Sequence, residues 1–193
     1  MEKRLIMTNI VYENDKLIVR RIEQSDAALI TRWLSDPEVL QYYEGRDRPQ
    51  DKAMVEEHFI NVDDNESRCI VQYDHVEIGY IQYYPVDEDG KMEYDCTDLE
   101  GNIYGMDQFI GEVDYWNKGI GKQLVQSTID HLTNVLKVDV VVMDPQAWNV
   151  RAISCYEKCG FEKVKLLPKH EWHEGEKRDC WLMVYSKKSI KHD

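Results

Sequence analysis

Tyr115-Trp-Asn-Lys-Gly-Ile-Gly-Lys122, then Val138-Asp-Val-Val-Val-Met143, then Asp144-Pro-Gln-Ala-Trp-Asn-Val-Arg-Ala152 is the stretch that decides how this chain is read. Two turns marked by glycine and asparagine each open a helix, and a very apolar strand lies between them. In Lys118-Gly-Ile-Gly-Lys122 two glycines one residue apart let the backbone curl tightly and approach a ligand. The helix that follows points unpaired N–H groups and the positive end of its dipole at that ligand, a combination that favours a diphosphate. The spacing is not that of a Walker A loop or a Gly-x-Gly-x-x-Gly dinucleotide fingerprint.

Working outward, Ile103 to Ile110 reads as a strand and Gly121 to Leu136 as a helix, with Leu124, Val125, Thr128, Ile129 and Leu132 at helical spacing. Val138 to Met143 has the composition of a strand buried on both faces. Asn149 to Lys158 is a second helix, with Asn149 as N-cap and Gly160 beyond its C-terminus. Before these, Leu17 to Ile22 is a strand, and Ser25 is expected to cap a helix through Leu34 that Asp36-Pro37 ends. A helix is expected over Asp51 to Ile60, and a hairpin from Arg68 to Tyr84 turns at Asp74-His75. Phe161 to Leu166 and Cys180 to Tyr185 supply the last strands, and Ser186 to Asp193 is expected to be a loose tail. This order predicts an α/β (α+β) fold: a mixed, mainly antiparallel sheet with helices on both faces, in one domain over 1–193 with its core at about 17–185.

Composition narrows the function. The formal charge of −13 argues against nucleic acid, whose binders carry a basic footprint; on its own it reads as solubility, and it is compatible with a polycationic ligand. Asp87, Glu88, Asp89, Glu93, Asp95, Asp98 and Glu100 crowd in front of the Asp107 strand. No apolar run approaches the ~18 residues of a membrane span, and the charged N-terminus has no apolar signal core, so a cytoplasmic protein without a membrane partner is expected. The five cysteines include no Cys-x-x-Cys pair and read as reduced packing residues. His170-Glu-Trp-His173 lacks a completing ligand set, so no metal is expected and the segment reads as an exposed loop.

Tyr115 to Lys122 resembles the acetyl-CoA-binding signature of the GNAT N-acetyltransferase superfamily, and Asn149-Val-Arg-Ala152 with Tyr156-Glu-Lys-Cys-Gly-Phe161 resembles its second signature. Order and separation agree, while Trp116 stands where Gln or Arg is common. The resemblance implies the GNAT fold, acetyl-CoA as cosubstrate, and cofactor contacts at Phe109, Ile110, Trp116, Asn117, Lys118, Gly119, Ile120, Gly121, Lys122, Asn149 and Ala152. Tyr156 fits either a core position or a phenol near the thioester sulfur, where a group of pKa about 10 can protonate a thiolate of about 8.5. The resemblance favours the second reading.

Asp107 places a carboxylate in a strand that is otherwise buried, where it needs hydrogen bonds or a cation. It is either a structural aspartate bonded to backbone or the group that holds an incoming ammonium and accepts its proton. Making a primary amine nucleophilic at pH 7 costs about 4–5 kcal/mol. Tyr104-Gly-Met-Asp-Gln-Phe-Ile-Gly111, Asp144-Pro145, Asn149-Val-Arg-Ala-Ile153 and Leu167-Pro-Lys-His-Glu-Trp-His-Glu-Gly175 resemble the aminoglycoside 6′-N-acetyltransferases, as do Trp33-Leu34 and Tyr42-Tyr-Glu-Gly-Arg-Asp47. That resemblance implies that Asp107 sits by the reacting 6′-amine and that Asp144, otherwise a turn or cap residue, contacts the drug. Tyr43, Glu44, Asp95, Asp98, Glu171 and Glu174 are weaker drug-pocket candidates, since each taken singly reads first as a solvated loop residue. Two other readings remain. One is a GNAT enzyme acting on a siderophore-type or protein amine, separable by turnover of N-hydroxylysine against kanamycin. The other is a non-catalytic acyl-CoA-binding module, against which Asp107 and Tyr156 together speak. The sequence leaves monomer and homodimer open.

Overall fold

The computed structural model describes residues 9–187. Its eight strands, β1 (Ile10–Asn14), β2 (Leu17–Arg21), β3 (Ser67–Tyr73), β4 (Val76–Pro85), β5 (Ile103–Ile110), β6 (Val140–Met143), β7 (Glu162–His173) and β8 (Glu176–Ser186), form one sheet in the order β1-β2-β3-β4-β5-β6-β8-β7. Every pairing is antiparallel except β5 with β6.

The helices are α1 (Ala27–Trp33), α2 (Pro37–Leu40), α3 (Lys52–Val55), α4 (Glu88–Glu93), α5 (Ile120–Asn134) and α6 (Val150–Glu157). Strand alternation sends successive side chains to opposite faces. Val141 and Met143 join the core beneath α5 and α6, with Leu124, Ile129, Leu132 and Ile153. Val140 and Val142 pack on the other face, with Val86, Tyr94 and Leu182. On that same face Trp33, Leu34 and Val55 from the first helices cover Ile70, Tyr80 and Phe109. The continuous apolar run of β6 is thereby accounted for: all four residues are buried.

Several elements differ from the sequence expectations. Ser25 caps nothing: Gln24–Asp26 is a 3-10 turn, and the buried Asp26 carboxylate accepts from the Glu23 N–H and both ends of the Arg20 guanidinium, all at 2.8 Å. Burial demands those partners, so the cap chemistry moves to the charged residue. Asp36 and Pro37 do more than end α1, because the Asp36 carboxylate accepts from Glu38 N–H at 2.9 Å and opens α2. The helix expected over Asp51 to Ile60 splits into α3 and a π-wound turn, Glu56–Ile60. The acidic run contains α4, capped by Asp87 on Gly90 N–H at 2.9 Å. His170 to His173 lies within β7 rather than in an exposed loop, and β7 meets β8 at Glu174-Gly175, both with positive φ. Of the expected tail, Ser186 ends β8, and 188–193 lie outside the described residues. Among the described residues no helix is long and apolar enough to cross a membrane.

β5 and β6 pair only through Ile103↔Val140, Tyr104↔Val141 and Gly105↔Val142. Past that point β6 ends at Met143, while β5 runs on from Met106 to Ile110 without a neighbour on that side. The sheet opens there, and ligands of open α/β sheets sit at such openings.

Candidate active site

Two cavities meet at the opening. The first, of about 500 Å³, is a groove between β5, the turn before α5, and α6. Its walls include Phe109, Ile110, Trp116, Asn117, Gly119, Gly121, Lys122, Asn149, Ala152 and Tyr156. Two residues expected here do not line it: the Ile120 side chain is buried in the core, and the Lys118 ammonium lies 5.6 Å from the centre of the Tyr115 ring. Their backbone remains part of the turn.

The turn is shaped by left-handed residues, Asn117 at φ 59° and Gly119 at φ 79°, so the chain reverses just before α5 begins. A Cβ built on Gly119 or Gly121 would meet no protein atom within 4 Å. Gly121 also has no positive φ that would call for glycine. Neither packing nor backbone conformation explains Gly121, which leaves room for a ligand at the helix N-terminus. A coenzyme diphosphate fits this space, where free N–H groups and the helix dipole favour an anion. Opposite, Asn149 caps α6 by accepting from Ala152 N–H at 3.2 Å. Trp116, at the position where Gln or Arg is common, bonds through its indole N–H to Ile110 O at 2.8 Å and packs against the Arg151 guanidinium at 4.4 Å. The Tyr42 ring lies 4.2 Å from the same guanidinium and meets Trp116 edge-to-face, so Arg151 sits in the corner between the two rings.

The second cavity, of about 350 Å³, is an acidic and aromatic cleft on the other side of β5. Asp107, Asp144, Glu44, Glu93 and Glu171 line it, with Tyr43, Tyr84, Tyr94, Trp148 and His170. Gln108 and Tyr156 line both cavities, so the cleft and the groove communicate there.

Asp107 is the centre of the cleft. Its Oδ2 accepts from Tyr84 Oη at 3.0 Å and Gln82 Nε2 at 3.2 Å, both from the neighbouring strand β4. Tyr84 is itself bonded to Tyr94 Oη at 2.7 Å. Burial, with the nearby Asp144 carboxylate adding to it, pushes the Asp107 carboxyl up to about 7, against the two hydrogen bonds that pull it down. A carboxyl balanced near neutral pH, beside a second carboxylate, is an attractive seat for a cation. Asp144 closes β6 and pairs with His170 Nε2 at 3.0 Å, which raises the histidine's pKa. Glu171 accepts from Gln146 at 2.7 Å, and burial raises its pKa and that of Glu44. Tyr156 sits on α6 with its hydroxyl 2.7 Å from Gln108 Nε2, and burial raises its pKa.

Asp95, Asp98 and Glu174 do not line the cleft. Asp95 pairs on the surface with Lys165 at 2.8 Å, Asp98 is exposed, and Glu174 grips Arg46, which holds its carboxyl down at about 2. Gln82, Tyr84, Glu93, Tyr94, Gln146, Trp148 and His170 line it without having been singled out as pocket residues. Strand alternation from Asp107 across β4 could have found Gln82 and Tyr84; the others are brought in by tertiary contacts. Among the described residues no cluster of three or more His, Cys, Asp or Glu is placed to hold a metal ion.

The acetyltransferase (GNAT) domain model matches residues 23–168, most of the chain. The chain belongs to the GNAT acetyltransferases. It is therefore an N-acetyltransferase with acetyl-CoA as donor. Aminoglycoside N(6′)-acetyltransferase type 1 of Klebsiella pneumoniae is 28% identical over 164 residues, covering 83% of this chain and 80% of that protein. The structure of AAC(6′)-Ib in complex with ribostamycin and coenzyme A superposes with a TM-score of 0.76 at 24% identity, covering 93% of this chain and 99% of that one. Spermidine N-acetyltransferase from Vibrio cholerae in complex with CoA and spermine gives 0.73 at 18% identity, covering 91% and 98%. At these identities the two structures share the fold with this acetyltransferase, and its acceptor is a separate question.

Proposed function

We infer that this acetyltransferase transfers the acetyl group of acetyl-CoA to the 6′-amine of an aminoglycoside. The observation that carries this reading is the half-buried Asp107, held by Tyr84 and Gln82 in a cleft lined by four further carboxylates and opening into the cofactor groove. An aminoglycoside presents several ammonium groups and hydroxyls on sugar rings, and acidic and aromatic walls suit both. The similarity to an aminoglycoside N(6′)-acetyltransferase over most of the chain supports the same acceptor class.

When bound, acetyl-CoA supplies an activated acetyl thioester. The chain's own residues do the rest. Amides from Trp116 to Lys122 hold the diphosphate, with the open faces of Gly119 and Gly121 giving it room. Asp144 and Glu171 attract and orient the cationic acceptor. Asp107 holds the 6′-ammonium and takes its proton, a role matched to a carboxyl near pH 7. Tyr156, kept protonated by its raised pKa, donates to the sulfur that departs.

The test is product analysis by mass spectrometry and NMR after incubation with acetyl-CoA and kanamycin, tobramycin or spermidine. Acetylation of kanamycin at the 6′-nitrogen is expected. A drug bearing a 6′-hydroxyl should give no N-acetyl product at that position. Acetylation at another ring amine, or turnover of spermidine with none of kanamycin, ends this reading and leaves the acetyltransferase family standing.

A further inference from the structure

Asp107 and Gln108 are adjacent on β5 and so project to opposite faces of the sheet. Asp107 reaches Tyr84 and Gln82 in the acceptor cleft. Gln108 reaches the other way, to α6, where its Nε2–H donates to Tyr156 Oη at 2.7 Å. The far end of the same amide is left open: Gln108 Oε1 is shielded from solvent and has no hydrogen-bond partner among the described residues. A glutamine kept only for structure would be expected to satisfy both ends, because a buried carbonyl stripped of its partner is costly.

The direction of the bond is the point. A phenol carries one proton and can also accept. With Gln108 as the donor, the Tyr156 proton is not used on Gln108, and among the described residues this hydroxyl makes no other hydrogen bond. It is available to a ligand where the groove meets the cleft, the place that both Gln108 and Tyr156 line.

We propose that Gln108 is a positioning residue for acyl transfer: by donating to Tyr156 Oη it turns the phenolic proton outward, to the site of the departing sulfur. This rests on Tyr156 acting as the acid in the proposed reaction. Gln108 touches neither reacting atom and works through the phenol alone. The donor N–H also opposes the upward pull of burial on the Tyr156 pKa.

Two substitutions of similar length separate this from a structural role. In Gln108→Glu the carboxylate can only accept, so the phenol turns its proton inward. In Gln108→Met the side chain makes no bond and leaves the proton free. Turnover with an amine that the enzyme accepts is measured at pH 8–9, with acetyl-CoA affinity by calorimetry and Tyr156→Phe alongside. General acids typically contribute ~10²-fold or more, so Gln108→Glu should lose about 10²-fold in kcat, like Tyr156→Phe. Acetyl-CoA affinity should stay within about threefold of wild type, and Gln108→Met should lose less than about tenfold. If Gln108→Glu is as active as Gln108→Met, or more so, the proposal is overturned, since a role in shape and packing predicts that order. If Tyr156→Phe turns over like wild type, the acid assignment beneath the proposal fails instead, and the two failures are told apart by that variant.

Discussion

Replacing Asp107 by Asn should abolish most turnover and make the free protein more stable, and the second effect has a definite pH dependence. The folded carboxyl titrates at about 7, against an ordinary 3.8, because it is buried beside Asp144. At about 1.36 kcal/mol per pH unit, that difference is worth about 4 kcal/mol. The sign follows from proton uptake. Between the two values the folded chain holds a proton that the unfolded chain has released, so stability falls as pH rises through this window and levels off above pH 7. Asn carries no charge at any of these pH values, keeps the shape, and can still accept from Tyr84 and Gln82. The stability advantage of Asp107→Asn should therefore be about 1 kcal/mol at pH 4.5 and grow to about 4 kcal/mol at pH 8. Urea denaturation of both proteins without ligand, at these two pH values, measures it, and effects common to both proteins cancel in the comparison. Thiol release from acetyl-CoA with a primary amine should show a loss of ~10²-fold or more in the same variant. A stability gap below about 1 kcal/mol at pH 8, or one that does not change with pH, would refute the claim that an ionised Asp107 is held at a cost in the free enzyme.

Three further outcomes follow from the same geometry. Gly121→Asp should leave the free fold intact, since its Cβ meets no protein atom, yet abolish acetyl-CoA binding by placing a carboxylate against the diphosphate; calorimetry checks this. Asp144→Asn should raise the acceptor KM more than the acetyl-CoA KM. It should also move the acidic limb of the rate profile to lower pH, because Asp144 helps hold the Asp107 pKa up. The acceptor KM should rise with added salt, as screening over ~8–10 Å weakens attraction to a cleft lined by carboxylates, and the acetyl-CoA KM should not follow it; equal dependence for both would place the acidic cleft outside the acceptor's path.

The parts of the fold that were legible in the sequence are those fixed by neighbours in the chain. Ile103 to Ile110 is a strand with the expected bounds, and the Asp74-His75 turn lies between β3 and β4, both residues with positive φ. α5 and α6 begin and end within two residues of expectation, because helical spacing and the Asn149 cap are local signals. β1 has no counterpart in the sequence expectations: as an edge strand it buries little, and Val11 and Tyr12 are only partly buried against the core that the other strands and α5 build. α4 was hidden by its charge, since a capped turn of acidic residues has the composition of a solvated loop. β7 and β8 extend well past their apolar cores because hairpin pairing from Glu171 to His173 satisfies backbone groups that side-chain pattern does not record. The site divides along the same line. Gly119, Gly121 and Asn149 are motif residues and line the groove, whereas Lys118 and Ile120 of the same motif do not. Counting acidic residues could not distinguish Glu93, which faces the cleft, from Asp95 two positions on, which pairs with Lys165 outside it.

By itself, the sequence determined the glycine turn before α5, the Asn149-capped turn before α6, the buried strand between them and the presence of Asp107 and Tyr156, because each depends on spacing within a few residues. The tertiary structure decided the rest. It ends the β5–β6 pairing at Gly105, which opens the sheet beside Asp107 and Gln108. It also gathers Tyr84, Tyr94, Asp144, His170 and Glu171 from separate elements around a single carboxyl. The elevated pKa of Asp107 belongs to that assembly, since it arises from burial and from a charge that lies 37 residues further along the chain.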